Sequence, residues 1–268
     1  MPDQETFATN IERFTGFADH YDRHRPSPPE RLGSLLMEIA GADSSATVVD
    51  LGSGTGLSTR YWSGRVAKII GVEPTDSMRA EAEQRGGEGV SYVRGFSHAT
   101  GLPDACADIV VCAQALHWME PQSTFAEAGR ILRPGGVFAS CDYDWPPVTG
   151  LWQLDAAYLE CDLLARRMER ELNLSPGIQF HEKSGHLGRM QESGQFRWAR
   201  ELLLHHEDEG DAERLTGLFS SQGSVQTLLK AGVSEEELRI VTFRKAAAAL
   251  MPVKKGWLWC SRIRVGVV

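Results

Sequence analysis

Three glycines at alternate positions, Gly52, Gly54 and Gly56, follow the run Thr47-Val48-Val49-Asp50-Leu51. Glycine at such positions lets the chain take a positive φ and lets a ligand lie against bare backbone. The apolar run, with two adjacent β-branched valines, reads as a buried parallel strand. A ligand should therefore sit on the turn, at the start of a helix running from Leu57 to Ser63. Spacing narrows the choice of ligand. A dinucleotide site requires G-x-G-x-x-G, but the position three residues after Gly54 is Leu57, and the pattern is G-x-G-x-G. No Gly-Lys-Ser/Thr follows, so a phosphate loop is excluded as well. What remains is a nucleoside without phosphates. Lys68-Ile69-Ile70-Gly71-Val72-Glu73 supports this, because a carboxylate at a strand end can accept hydrogen bonds from both ribose hydroxyls.

A second group of reactive residues follows the strand at Asp108–Cys112. Ligands of open α/β sheets bind outside the carboxyl ends of the strands, so Gln114, Leu116, His117 and Trp118 should face the reacting end of the ligand. His117 is the histidine placed to take a proton or to orient a reactant. His181 and His186 stand five apart, off the spacing that puts two imidazoles on one helical face, and His205-His206 point to opposite faces of a strand. No metal site is expected. The five cysteines lack C-x-x-C pairing and read as free buried thiols.

With these residues placed, the chain resembles a known family. Asp50-Leu51-Gly52-Ser53-Gly54-Thr55-Gly56 and Gly71-Val72-Glu73-Pro74 are similar to the first two motifs of class I S-adenosylmethionine-dependent methyltransferases. Gly95-Phe96-Ser97-His98-Ala99-Thr100-Gly101-Leu102-Pro103, Ala107-Asp108-Ile109-Val110, Ala113-Gln114-Ala115-Leu116-His117-Trp118 and Leu132-Arg133-Pro134-Gly135-Gly136 match later signatures in the same order. The likeness is to the small-molecule branch that includes the ubiquinone/menaquinone and trans-aconitate methyltransferases, and it spans residues 10 to 145 or so. It implies an α/β, Rossmann-like, doubly wound seven-stranded sheet with its last strand antiparallel. It also implies S-adenosylmethionine as cofactor and in-line methyl transfer to a small-molecule acceptor. O-methylation of a carboxylate or hydroxyl is the first reading, with carbon or nitrogen as alternatives. A non-catalytic accessory or sensor that binds S-adenosylmethionine or S-adenosylhomocysteine is the rival reading.

Carried over residue by residue, the resemblance assigns cofactor binding to Asp50, Gly52, Ser53, Gly54, Gly56, Glu73, Pro74 and Gln114. Met78 stands where the family places an apolar side chain against the adenine, and Tyr21 and Arg25 belong to an N-terminal lid. Ser97 and His98 fall near the adenine amine. Relatives often carry an acidic or amide side chain there, a departure that leaves the contact to backbone carbonyls. His117, Trp118 and Trp145 would line the acceptor pocket. Ala113-Gln114-Ala115-Leu116 also replaces the Asn/Asp-Pro-Pro-aromatic motif of exocyclic-amine methylases.

The elements that must position these residues follow from periodicity and breakers. Phe7, Ile11, Phe14, Phe17, Ala18 and Tyr21 form one apolar helical face, and the prolines of Arg25-Pro26-Ser27-Pro28-Pro29 separate it from a helix ending near Ala40. Asp76 opens a helix, Val90–Arg94 is strand three, and a helix from Pro121 buries Phe125, Ala128 and Ile131 before Pro134-Gly135-Gly136 stops it. Strand five is Val137–Tyr143. Beyond Asp144 come helices over 151–172, 181–192, 212–231 and 235–250, with strands over 196–206 and 257–267. The expected organisation is a lid (1–40), a cofactor-binding half (41–145), and cap helices with the C-terminal strands (146–268).

Composition bounds the rest. The chain of 268 residues, 42% hydrophobic, can bury a full core. A formal charge of -8 without a basic run argues against nucleic acid. No apolar run reaches membrane-spanning length, and the N-terminus lacks a signal-peptide layout, so a cytoplasmic monomer or homodimer is expected.

Overall fold

The computed structural model describes residues 24–268. The proposed helical face up to Tyr21, and Tyr21 itself, lie outside the described residues. The chain divides into two compact units. One comprises Ser27–Tyr143, Gln179–Leu204 and Ser261–Val268; the other comprises Asp144–Ile178 and His205–Cys260 together with the residues up to Pro26.

The first unit is organised by a seven-stranded sheet of order β3-β2-β1-β4-β5-β7-β6. Its strands are β1 (Thr47–Leu51), β2 (Lys68–Val72), β3 (Val90–Val93), β4 (Ala107–Ala113), β5 (Leu132–Tyr143), β6 (Trp198–Gly210) and β7 (Lys255–Val267). Strands β1 to β5 pair in parallel, while β7 runs antiparallel to β5. β6 and β7 continue along the chain from one unit into the other. The order reverses between β1 and β4, and this switch point is where an open sheet leaves a crevice at its carboxyl ends.

The valine doublet serves both faces of the sheet. Val48 packs on one side with Ile69, Ile109, Val137 and Ile263, and Val49 on the other with Val72, Val110 and Phe138. Helix α1 (Glu30–Ala40) buries Leu32 and Leu36, four residues apart, in the first of these layers. Residues 27–40, assigned by sequence to the lid, are thus part of the sheet unit, because a stripe of two leucines worth about 1.5–3 kcal/mol each is buried there. α2 (Leu57–Tyr61) follows the glycine turn and α3 (Asp76–Arg85) follows β2. α4 (Pro121–Ile131) closes the second layer through Phe125, Ala128 and Ile131, with Glu120 capping its first amides. Strand β5 starts at Leu132 rather than Val137, since Leu132 already pairs with Ala107 before a register shift.

The second unit gathers α5 (Trp152–Glu171), α7 (Ala212–Ser220), α8 (Gly223–Lys230) and α9 (Ile240–Leu250). Tyr158, Phe219 and Phe243 meet edge to face at its centre. The single helix expected over 212–231 is two, because Gln222 is extended between them. The last helix begins at Ile240 instead of Glu235, after Arg239 takes a left-handed conformation. In the sheet unit the expected helix over 181–192 is a 3-10 turn, Lys183–Gly185, followed by α6 (His186–Glu192). Among the described residues no helix is long and apolar enough to cross a membrane.

Candidate functional site

At the carboxyl end of β1 the three glycines all adopt left-handed backbone, with φ of 68° at Gly52, 55° at Gly54 and 82° at Gly56. The amides of Gly52 and Ser53 donate to the Val72 carbonyl at 2.9 and 3.2 Å, tying the turn to β2. Glu73, buried at the end of β2, accepts from Gly54 N through Oε2 and from Thr75 N through Oε1, both at 2.9 Å. An ionised carboxylate offers about four lone-pair sites, so two acceptor positions remain for the two hydroxyls of a ribose. A Cβ on Gly54 would touch only Met78 Sδ, at 3.9 Å, so this side of the turn is open beside Met78. On Gly52 it would come within 2.6 Å of Met119 Cε and 2.9 Å of Ala115 Cβ. The loop after β4 therefore lies directly against the glycine turn.

Asp50 is fully buried beneath the turn. Its Oδ2 accepts from Ser58 Oγ at 2.6 Å and Thr59 Oγ1 at 2.7 Å, while Oδ1 has no partner. Burial pushes its pKa up to about 6 against the pull of those two hydroxyls. Ser53 Oγ is a second buried polar atom without a partner. Further along, Ser97 shares a 2.8 Å hydrogen bond with Thr124 of α4, and His98 stacks on Phe96 at 5.4 Å. Pro74 is half-buried between Glu73 and Thr75.

The end of β4 carries a polar cluster. Gln114 has a φ of 53°, rare for a residue with a side chain, and its amide donates to the Cys141 carbonyl at 2.8 Å. Residues held in such backbone persist where the surroundings over-determine them, often at ligand sites. Lys183 donates to Gln114 Oε1 at 2.8 Å and stands 3.0 Å from Asp142 Oδ1. Arg264 donates to Asp142 Oδ2 at 2.7 Å and to Glu201 Oε2 at 2.8 Å. His117 is buried with Nδ1 3.8 Å from Asp142 Oδ1, its ring packed against Trp118 and Phe180 at 4.9 and 5.4 Å. The His117 carbonyl accepts from His181 N at 2.8 Å, which fastens the segment after Gln179 to the loop after β4.

Of the residues singled out by sequence, the sheet unit brings together the glycine turn, Asp50, Glu73, Pro74 and Met78, and at the end of β4 it groups Gln114, His117 and Trp118. Trp145 and Arg25 belong to the second unit. There Trp145 meets Trp259 edge to face at 5.1 Å, and the Arg25 guanidinium lies 4.6 Å over the Trp145 ring while donating to the Ser221 carbonyl at 2.9 Å. Sequence reasoning missed Asp142, Lys183, Glu201 and Arg264. Asp142 and Arg264 did leave a signal, being charges inside strands that are otherwise apolar.

A sheet of this order, with β7 antiparallel and a left-handed glycine turn facing an acidic strand end at the switch point, is the arrangement that the resemblance to class I S-adenosylmethionine-dependent methyltransferases implies. Residues 49–140 match the profile of the methyltransferase domain family, and S-adenosylmethionine is the cofactor of this domain. The unpartnered Asp50 oxygen, the open side of Gly54 and the remaining acceptor capacity of Glu73 fit that ligand. An uncharacterized methyltransferase of Mycobacterium tuberculosis is 36% identical over 121 residues, 43% of this chain and 46% of its own length. The uncharacterized methyltransferase YcgJ of Bacillus subtilis is 29% identical over 144 residues, covering 52% of this chain and 56% of its own. The chain thus spans about half the length of the curated relatives it matches. Among solved structures, a provisionally assigned type II methyltransferase of Anaeromyxobacter dehalogenans shares the fold over 91% of this chain and 97% of its own, with a TM-score of 0.65 and 24% identity.

Proposed function

We propose that the protein transfers a methyl group from S-adenosylmethionine to a small-molecule acceptor at the carboxyl ends of β4 and β5. The observation that carries this reading is the contact of the Ala115–Met119 loop with Gly52, which joins the cofactor turn to the residues that would face the acceptor. The bound cofactor supplies a methyl activated by a sulfonium. The chain's part is to hold and orient. Glu73 binds the ribose hydroxyls, Met78 supports the adenine, and Gln114, His117 and Trp118 set the acceptor in line while aromatic side chains exclude water. Pro74, Ser97 and His98 keep the roles that the resemblance implies.

A carboxylate acceptor would need no base, whereas a hydroxyl would call on His117. The acidic surface favours a small molecule over nucleic acid as partner, in a cytoplasmic monomer or homodimer. Calorimetry with S-adenosylhomocysteine, followed by its detection as product across a panel of small acids, phenols, alcohols and amines, tests the reading. Binding without product from any of them supports the accessory or sensor role instead.

A further inference from the structure

Helix α5 of the second unit carries two apolar stripes. Leu154, Tyr158, Cys161 and Ala165 form the buried one, and through Tyr158 it meets Phe219 and Phe243. The other stripe faces solvent, with Trp152 73% exposed, Leu159 46% and Leu163 65%. Standing seven and then four residues apart, these three fall on one line along an α-helix. The outer face of an amphipathic helix ordinarily carries polar residues. One exposed leucine asks for no account, whereas an aligned tryptophan and two leucines mark an interaction surface.

The charges along this line say what fits it. Asp155 borders its first turn, and exposed Arg166, Arg167 and Arg170 continue it toward the other end. A face that is acidic beside its tryptophan and basic at its far end is complementary to itself run backwards. With a two-fold axis crossing α5 midway between Leu159 and Leu163, each Leu159 meets the Leu163 of the other copy. The same operation sets Trp152 against the other copy's Arg170, a cation over an aromatic face, and brings Arg166 to the other copy's Asp155. Both members of the last pair have capacity for it. Arg166 donates to Asp162 through Nε at 2.8 Å, which leaves the rest of its fork, and Asp155 accepts from Thr149 Oγ1 through Oδ1 at 2.7 Å, which leaves its second oxygen. An anionic lipid surface matches less well, because Asp155, Glu160 and Asp162 flank the stripe and the formal charge is -8.

We propose that the solvent face of α5 seats a second copy of this chain, the two α5 helices packing antiparallel about a two-fold axis through Leu159 and Leu163. The assignment stands apart from the methyl-transfer reading and does not depend on it. Analytical ultracentrifugation of the full chain should show a dimer. Leu163→Arg and Leu159→Glu, both at exposed positions, should each weaken that dimer about tenfold or more while leaving the circular dichroism spectrum unchanged. Mixing these two variants should restore dimers, because one central contact becomes an arginine–glutamate pair and the other stays leucine on leucine. Mixing Leu163→Arg with Leu163→Glu should not, since only parallel helices would bring those two positions together. A monomeric wild type, a dimer that survives Leu163→Arg, or rescue by the second mixture and not the first would each overturn the assignment. Binding of the wild type to phosphatidylserine vesicles that Leu163→Glu abolishes would give the face to lipid and overturn it as well.

Discussion

The Glu73 carboxylate holds the amides of Gly54 and Thr75 through two of its acceptor sites, and the two that remain are the ones proposed for the ribose. Glu73→Ala should therefore weaken S-adenosylhomocysteine binding by about 1.5 to 3 kcal/mol and also lower the unfolding midpoint, which calorimetry and denaturation check separately. His117 tests the chemistry. His117→Ala should cost turnover about 10²-fold or more if the imidazole takes the acceptor proton, with little change in S-adenosylhomocysteine affinity. An orienting role predicts a smaller loss that does not vary with pH near 6.5. Asp50 makes a prediction of opposite kind, because burial raises its folded pKa to about 6 from 3.8. Between those two values the folded chain holds the proton that the unfolded chain releases, so Asp50 subtracts stability as pH rises from about 4 to about 6. The total is of order 3 kcal/mol. Denaturation of the wild type and of Asp50→Asn across pH 4 to 7 should show this slope in the first and not in the second.

Among the elements, the glycine turn separates two reasons for glycine. A Cβ at Gly56 would fall 2.1 Å from Tyr92 Oη in a backbone with φ of 82°, so the residue is required by packing and by conformation together. At Gly54 the φ of 55° is also left-handed, yet the space beyond it is open toward Met78. Gly54→Ala should accordingly cost about 1–2 kcal/mol of stability from backbone strain, while blocking the face proposed for the cofactor. Gly56→Ala should cost more stability than Gly54→Ala, and a comparison of unfolding free energies with S-adenosylhomocysteine affinities resolves the two. If both variants lose stability equally and bind alike, the open face beside Met78 is not the cofactor seat.

Across the whole molecule, the sheet unit is assembled from three separate stretches of chain, and buried charges join them. Asp142 on β5 meets Arg264 on β7 across 122 residues of sequence, with Lys183 and Glu201 contributed by the stretch between Gln179 and Leu204. Removing one partner of such a pair leaves a buried charge unanswered, at a cost of about 3–5 kcal/mol. Arg264→Ala should show a loss of that size in chemical denaturation. It should depend little on salt, because buried pairs are screened far less than exposed ones. A loss within about 0.5 kcal/mol would place the pair among surface-like contacts and remove it as the link between β5 and β7.

What the sequence determined by itself is what short-range pattern encodes. Alternate glycines after a β-branched run prescribed a left-handed turn, the carboxylate at Glu73 marked its partner strand, and the spacing of Phe125, Ala128 and Ile131 named the buried face of α4. These signals lie within a few residues of one another, where steric preference and periodicity act directly. The tertiary structure decided the rest. Leu32 and Leu36 are an apolar stripe in either a lid or a core helix, and only the layer of Val48, Ile69 and Ile109 selects the core. The helix expected over 212–231 breaks at Gln222 with no proline to announce it. No local rule says which of many charges will share a buried pocket, so the meeting of Lys183, Gln114, Asp142 and Arg264 appears only when strands distant in sequence are brought side by side.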